Sequence, residues 1–329
     1  MTAVNHRGAT PIIALVLMLL SVVGCSSSAS DDDTPSTASA PAAIEIERPP
    51  VEQSRADRPA GPVHRFRYPV AGVADPTQDW MDLYLPSTPA TEPVPLVVLL
   101  HGGGWRDPVG AAAIAPLAQR LAGRGFAVLN VEYRRVGSGG GWPVTFTDVA
   151  AAFDAVPSVA ARYPQIDLDN AVAVGHSAGA QLAVWASTRH HLEPGEVGAA
   201  PRFRPEHVVS LAGPLDMRRA AEFGDHNVIR ALGGTPAQVP ERYTSVDPIQ
   251  NIDPQIPVLA IAGSDDHVIP HAISQEYAAA VRRAGGQAMA VILPGQTHVS
   301  IVDPHNAVFA RVVELIVRFV EGAHRSPVG

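Results

Sequence analysis

The 329-residue sequence contains no lysine and only one cysteine, Cys25. A single cysteine excludes a disulfide within the chain and any zinc or iron–sulfur site built from several cysteines. All 24 basic residues are arginines, and 32 acidic residues outnumber them, which gives a formal net charge of −8. Because the arginines are scattered, the sequence lacks the basic surface typical of nucleic-acid-binding proteins. Any catalysis by this chain must therefore use oxygen and nitrogen side chains.

The apolar run near the N-terminus, residues 12–20, is too short to span a bilayer. Arg7 precedes it and small residues follow it, which is the pattern of an export signal over residues 1–24. Residues 22–25, Val-Val-Gly-Cys, resemble the lipobox of bacterial lipoproteins, in which the signal is removed before a cysteine that is then lipidated. The resemblance implies a lipid anchor on Cys25 that holds the protein at the bacterial cell membrane, outside the cytoplasm. A plain secretory signal with an incidental cysteine is the alternative.

The foldable part of the chain begins after a polar segment. Residues 25–62 are rich in Ser, Ala, Thr and Pro and have no hydrophobic period, so we expect a disordered, solvated tether. One catalytic domain is predicted over residues 63–323, and residues 324–329 are predicted to be a short tail. The hydrophobic fraction of 46% is sufficient for a sizeable core.

Within residues 63–323, short β-rich runs alternate with longer segments of helical period. This alternation predicts an α/β fold with a mostly parallel central sheet and helices on both faces. The strand candidates are 63–68, 80–85, 96–100, 127–131, 171–174, 208–211, 258–262 and 288–293. The helix candidates are 111–122, 148–161, 178–188, 274–283 and 307–320. Residues 214–255, with several Gly and Pro, are expected to form an irregular insertion over the functional edge of the sheet.

The motif Gly-His-Ser-Ala-Gly at residues 175–179 follows one strand candidate and precedes a helix candidate. A serine on such a strand–turn–helix connection is a nucleophile elbow, which exposes the hydroxyl at the end of the strand. The flanking glycines let strand and helix approach each other without a Cβ collision. This context favours Ser177 as a nucleophile over a chance match to G-x-S-x-G.

A second motif, His-Gly-Gly-Gly-Trp at residues 101–105, directly follows the strand candidate 96–100. Consecutive glycines can turn backbone N–H groups toward a developing negative oxygen, as an oxyanion hole requires. A phosphate-binding loop would need Lys-Ser/Thr or the G-x-G-x-x-G spacing, and neither is present. A flexible glycine loop without a catalytic role is the remaining alternative.

Four motifs follow one another along the chain in the order HGGGW, GHSAGA, GSDDHVIP and PGQTHVS. With this set the chain resembles the α/β-hydrolase superfamily over roughly residues 63–321. It is most similar to small bacterial esterases related to the acetyl-xylan/feruloyl-esterase, arylformamidase and hormone-sensitive-lipase groups. His176 stands where hormone-sensitive-lipase relatives usually have Asp, so the similarity favours the acetyl-xylan-esterase and formamidase groups.

The resemblance implies a triad of Ser177 as nucleophile, His298 as general base and Asp266 as the acid that orients it. Their chain order is the one this fold uses. Independently of the resemblance, Asp266 and His298 each follow a strand candidate by a short loop, so both are expected at the carboxyl edge of the sheet. Two other carboxylates stay open as the acid: the adjacent Asp265, and Asp216, which follows another strand candidate.

The resemblance also implies which backbone groups form the oxyanion hole, namely the N–H groups of Gly103, Gly104 and Ala178. Aromatic residues near the motifs are candidates either for a substrate pocket or for the core. They are Trp105, Tyr133, Trp142 and Trp185.

The other histidines are expected to have structural roles. His176 and His101 are expected to pack and hydrogen-bond rather than to transfer protons. His190 and His191 lie next to each other near a predicted helix end, where solvation is favoured over metal binding. The weak candidates for the base are His267, His271 and His305.

Together these features predict a serine hydrolase that cleaves a carboxylic ester through an acyl-serine intermediate. The expected partners are a small-molecule ester or amide as substrate and the membrane that holds the lipid anchor, without nucleic acid, cofactor or metal. An arylformamidase or a serine peptidase on the same triad stays open. A hydrolase-fold protein that binds without catalysis is the alternative from a different class.

Overall fold

A computed structural model of the chain describes residues 60–87 and 92–323. The predicted export signal, Cys25, nearly all of the predicted tether and the predicted tail lie outside these residues. Among the described residues, no helix combines the length and the apolarity that a membrane crossing requires.

Eight strands form the sheet of the described chain: β1 (Ala60–Arg67), β2 (Trp80–Pro86), β3 (Val94–Leu100), β4 (Ala127–Val131), β5 (Ile166–His176), β6 (His207–Leu211), β7 (Val258–Gly263) and β8 (Ala288–Leu293). Their spatial order is β1-β2-β4-β3-β5-β6-β7-β8. β2 pairs antiparallel with β1 and with β4, whereas all pairings from β4 through β8 are parallel. The predicted mostly parallel sheet is confirmed, and each strand candidate overlaps one observed strand.

The central strand β3 is covered on both faces. Leu96, Val98 and Leu100 enter one core cluster, whereas Val97 and Leu99 enter a second cluster on the opposite side. Side chains of a strand alternate between its two faces, so a strand that is covered on both sides reads as a continuous apolar run. This burial is why the run from 96 to 100 is apolar at every position.

Eight α-helices accompany the sheet in the described residues: α1 (Ala115–Gly123), α2 (Val144–Ala160), α3 (Ala178–Thr188), α4 (Met217–Glu222), α5 (His226–Leu232), α6 (Pro240–Val246), α7 (Ala272–Arg283) and α8 (Val308–Ala323). Side chains of α2, α3 and α7 enter one core cluster, and those of α1 and α8 enter the other. The prediction of helices on both faces is confirmed. A short 3₁₀ turn, Ala111–Ile114, forms the start of the first predicted helix.

The expectation of an irregular insertion over residues 214–255 is wrong in one respect, because this segment contains α4, α5 and α6. The side chains of Asp216 and Asp225 cap α4 and α5 by accepting backbone hydrogen bonds from the first turn of each helix. Pro240 opens α6, where the missing N–H of proline has no cost. Each of these helices has only six or seven residues, which is too short for a hydrophobic period to show in the sequence.

Candidate active site

Ser177 lies on the sharp turn between β5 and α3. Its backbone has φ 54° and ψ −122°, a conformation that costs a non-glycine residue energy. A Cβ on Gly175 would lie 2.1 Å from the carbonyl oxygen of Gly179, and a Cβ on Gly179 would lie 2.3 Å from that of His101. The two glycines therefore allow α3 to fold back closely against the ends of β5 and β3, as the elbow motif predicts.

Three polar side chains from separate strand ends meet at this turn. His298, in the loop after β8, has its Nε2 2.8 Å from Ser177 Oγ. Its Nδ1 lies 2.8 Å from Oδ2 of Asp266, which follows β7. All three residues are buried. Because β5, β7 and β8 run parallel, their carboxyl ends share one edge, and the structure brings together the three residues that were expected there.

Asp266 is held as a carboxylate by several hydrogen-bond donors. Its Oδ1 accepts the backbone N–H groups of Val268 and Ile269, both at 2.8 Å. Burial raises the pKa of Asp266, but the hydrogen bonds from His298 and from the two amides outweigh it and hold the pKa below its usual value. A carboxylate at Nδ1 keeps the imidazole proton there, which leaves Nε2 able to accept the Ser177 proton.

The other carboxylates that could orient His298 lie elsewhere. Asp265 is exposed, and its Oδ1 accepts a hydrogen bond from Ser264 Oγ at 2.7 Å. Asp216 accepts a hydrogen bond from the backbone N–H of Arg219 at 2.9 Å, which caps α4. In the described part of the chain, Asp266 is the only carboxylate that hydrogen-bonds to the imidazole of His298. The histidines that were weak candidates for the base make no hydrogen bond to Ser177 there. They are His267, His271 and His305.

His176 lies beside the triad. Its Nε2–H donates to the backbone carbonyl of His298 at 2.8 Å, and the two ring centroids are 4.9 Å apart. Burial, together with the charge of His298, lowers the pKa of His176 to about 4, which keeps the ring neutral at neutral pH. His176 therefore holds the backbone of the His298 loop, which is the packing and hydrogen-bonding role expected of it.

The loop after β3 carries backbone amides that are free to bind an anion. Gly103 and Gly104 have φ values of +112° and +63°, which glycine adopts without strain. Within the described chain, neither N–H donates to another protein group, and both residues line the cavity that contains Ser177. Ala178 is the first residue of α3, where a helical amide has no acceptor one turn back. The three amides predicted to form the oxyanion hole thus lie in this cavity or next to Ser177.

Glu132, which no motif marks, anchors the glycine loop from behind. Its carboxylate lies 3.0 Å from His101 Nε2 and accepts the backbone N–H of Ala111 at 2.8 Å. Tyr133 stacks on the His101 ring and donates its hydroxyl to the His101 carbonyl at 2.7 Å. The sequence does contain a signal for this contact. Glu132 directly follows the apolar strand β4, where a side chain is expected to be buried, and a buried charge requires a partner.

The aromatic residues predicted near a substrate pocket differ in position. Trp105 borders the cavity but is buried, and its indole N–H donates to Gln181 Oε1 at 3.1 Å. Tyr133 is fully buried behind the loop, Trp185 lies in the core, and Trp142 packs on α2 outside the cavity lining. The substrate-binding prediction is therefore corrected for Tyr133 and Trp142, because neither lines the cavity: Tyr133 packs on His101 and Trp142 packs on Phe146.

The cavity next to Ser177 has a volume of about 570 Å³, a size suited to a small molecule. Val109 and Asn227 border it on the side of the glycine loop, residues 102–104. A Cβ on Gly103 would lie 2.7 Å from Val109 Cβ, and a Cβ on Gly104 would lie 3.2 Å from Asn227 Cγ. Because Asn227 belongs to α5, the segment 214–255 does reach the functional edge, as expected.

A second polar cluster lies at the far end of α3 from Ser177. The Nε2 atoms of His190 and His191 lie 2.9 Å and 3.5 Å from Oδ2 of the buried Asp253. These three residues offer ligand atoms within 4.8 Å of one another, but Arg204 already places a guanidinium 3.6 Å from the same oxygen. Both histidines are exposed, which agrees with the expectation of a solvated pair, and the buried carboxylate of Asp253 lies beside them.

The chain is similar to known proteins in sequence and in fold. The BD-FAE family model matches residues 81–281, more than half of the chain. The probable isoprenylcysteine alpha-carbonyl methylesterase ICMEL1 of Arabidopsis thaliana is 25% identical over 271 residues, 78% of this chain and 56% of its own length. Esterase LipC of Mycobacterium tuberculosis is 28% identical over 279 residues, 80% of this chain and 66% of its own length. The chain thus spans less than two thirds of the length of these relatives.

Solved esterase structures are similar to the described fold. A truncated carbohydrate esterase from gut microbiota has a TM-score of 0.65 at 23% identity, covering 78% of this chain and 96% of its own. The propionate-bound esterase Est2 of Thermogutta terrifontis has a TM-score of 0.65 at 22% identity, covering 81% and 97%. At such identities the likeness shows the fold alone. Together with the family match, these findings show that the chain belongs to the BD-FAE family and has an esterase-type α/β-hydrolase fold.

Proposed function

We propose that the protein is a serine hydrolase that cleaves a carboxylic ester of a small molecule through an acyl-serine intermediate. The observation that carries this proposal is the relay from Ser177 through His298 to Asp266, with both links at 2.8 Å. The relatives and structural neighbours named as esterases support it.

In the first step, Ser177 Oγ attacks the ester carbonyl carbon while His298 Nε2 takes the hydroxyl proton. Asp266 stabilises the imidazolium that forms. The carbonyl oxygen becomes an oxyanion, which accepts hydrogen bonds from the amides of Gly103, Gly104 and Ala178. One such donor typically contributes about 10² to 10³ in rate, because it acts where charge develops.

In the second step, the tetrahedral intermediate collapses and the bond to the leaving alcohol breaks. His298 gives its proton to the departing oxygen, and the acyl group stays on Ser177. Water then attacks the acyl-serine with His298 again as the base. Release of the acid restores the Ser177 hydroxyl.

Full-length protein should be tested on nitrophenyl acyl esters, acetyl-sugar and feruloyl esters, formamides and dipeptide anilides, with Ser177→Ala as the blank. We expect turnover of one or more esters, labelling by a fluorophosphonate probe, and loss of both in Ser177→Ala. Preferred cleavage of N-formyl amides or of anilides would indicate a formamidase or a peptidase on the same triad. Absence of probe labelling in folded wild-type protein would favour a binding protein without catalysis.

We also propose that the enzyme is exported and anchored by lipid at Cys25. The export-like segment and the lipobox-like residues 22–25 support this location. Bacteria that express the full chain should incorporate labelled palmitate into the wild-type protein and into Ser177→Ala, but not into Cys25→Ser. Equal labelling of Cys25→Ser would contradict the anchor.

A further inference from the structure

The histidine that opens the glycine loop has both of its ring nitrogens hydrogen-bonded in the protein interior. His101 is completely buried. Its Nδ1 lies 2.7 Å from the carbonyl oxygen of Gly102, and its Nε2 lies 3.0 Å from Oε1 of Glu132. A carbonyl oxygen and a carboxylate oxygen only accept hydrogen bonds. Both ring nitrogens therefore face acceptors, and a neutral imidazole, with one N–H, could donate to only one of them.

Glu132 is ionised in this environment. Burial raises the pKa of Glu132, but the hydrogen bond to His101, the amide of Ala111 and the charge of Arg135 act in the opposite direction, and the pKa lies below its usual value. A carboxylate therefore faces the His101 ring directly.

Arg135 does not replace the ring as the donor in this contact. Its Nη1 lies 3.5 Å from His101 Nε2, but the same nitrogen donates to Glu132 Oε1 and, at 3.0 Å, to the carbonyl of Tyr133. Nη1 carries two hydrogens, and these two acceptors use both. A lone pair on His101 Nε2 would then face the carboxylate oxygen at 3.0 Å and repel it.

Tyr133 adds a further contact that favours the charged ring. Its ring lies parallel to that of His101, with centroids 4.1 Å apart and an interplanar angle of 5°. The face of an aromatic ring attracts a cation. His101 is thus faced by a carboxylate, a carbonyl and an aromatic ring, and by one guanidinium whose charge Glu132 offsets.

We propose that His101 is an imidazolium that orients and polarises the oxyanion hole through the peptide between Gly102 and Gly103. The carbonyl that accepts Nδ1–H and the N–H of Gly103 belong to one planar trans peptide, in which the two groups point in opposite directions. A cationic donor at the oxygen therefore directs the Gly103 N–H away from the ring. It also polarises the peptide and strengthens this N–H as a donor. The inference rests on the proposed function, and it makes His101 a positioning residue that does not touch the substrate.

The protonation state can be measured directly by ¹⁵N NMR of the imidazole rings in full-length, histidine-labelled protein at pH 8. Signals that vanish in His101→Gln identify the ring. We expect both nitrogens of His101 to be protonated in the wild type, and one to lose its proton in Glu132→Gln. A neutral His101 ring in the folded wild type would overturn the inference.

The kinetic consequence is measured on a nitrophenyl ester. His101→Gln and Glu132→Gln should each lower kcat by about 10- to 100-fold with KM changed by less than about twofold, because an oxyanion donor acts in the transition state. His64→Gln, on the edge strand β1 outside the cavity lining, is the matched control and should keep both constants. Thermal unfolding verifies that each variant is folded.

Two kinetic results would overturn the inference: a kcat loss below about threefold in both folded variants, or a raised KM with kcat unchanged, which indicates a structural role only. Wild-type protein that turns over esters with a neutral His101 would overturn this inference alone. Doubly protonated His101 in a protein without any hydrolytic turnover would instead overturn the proposed function.

Discussion

Replacing Asp266 by Asn should give His298 the wrong tautomer without moving the ring. Oδ1 of Asp266 accepts two backbone N–H groups, from Val268 and Ile269, at 2.8 Å each. An amide NH₂ cannot take that position, because donors would face donors. The oxygen of Asn must therefore stay at the two amides, and its NH₂ must face His298 Nδ1.

An N–H directed at Nδ1 forces that nitrogen to accept, which places the imidazole proton on Nε2. The ring then presents an N–H to Ser177 Oγ and cannot take its proton. Loss of the correct tautomer in a triad costs about 10⁴ in kcat, which corresponds to about 5 kcal/mol of transition-state stabilisation. We expect a loss of this size in Asp266→Asn, with the fold retained.

The assay is kcat on a nitrophenyl ester, measured beside circular dichroism of the same samples. Asp265→Asn, at the exposed neighbouring position, is the matched control and should retain kcat within about threefold. A loss below about tenfold in Asp266→Asn would refute the tautomer argument, since the geometry allows no intermediate arrangement. A severe loss in Asp265→Asn or Asp216→Asn would reassign the acid.

Three further outcomes are expected. Gly179→Ala should lower the free energy of unfolding in urea by about 3 kcal/mol or more, because the added Cβ would lie 2.3 Å from the His101 carbonyl oxygen. The control Gly322→Ala, with open space around the added Cβ, should not lower it. Equal stability of the two variants would contradict the close approach at Gly179. The His176 ring has a pKa of about 4 when folded against 6.5 for the free side chain, so it lowers stability as pH falls from about 6.5 toward 4. Between pH 7 and pH 5 the wild type should thus lose about 2 kcal/mol more than His176→Gln, and equal losses would argue against a neutral buried ring. Val109→Phe should narrow the cavity and reduce kcat/KM for bulky acyl esters at least about tenfold more than for nitrophenyl acetate. No loss on either ester would place Val109 outside the substrate path.

The strands and the long helices were predictable because their signals are local. The run from 96 to 100 is apolar at every position because both faces of the strand are covered. The start of α3 was predictable because the G-x-S-x-G motif is typical of the turn between a strand and a helix. The helices α4 to α6 were missed because capping residues, rather than a long period, define them. Their expected position over the functional edge was still correct, as Asn227 in the cavity lining shows.

The positions of the aromatic side chains could not be predicted from the sequence. Tyr133 and Trp105 flank the glycine motif in the fold, and proximity to a motif was the reason to expect them in a pocket. Whether an aromatic side chain faces a cavity or the core depends on which neighbours bind its polar atom and its ring. For Tyr133 these are the carbonyl and the ring of His101, which lies 32 positions away along the chain.

The sequence by itself determined the α/β fold, the elbow at Ser177 and the glycine loop, because each depends on residues within one strand, turn or helix. Only the tertiary structure decided that Asp266, and neither Asp265 nor Asp216, faces His298, since three carboxylates near strand ends differ only in where their side chains point. The tertiary structure alone revealed that Glu132 anchors the glycine loop. That contact joins the ends of two neighbouring strands, and the charge is stable there only because distant donors converge on it.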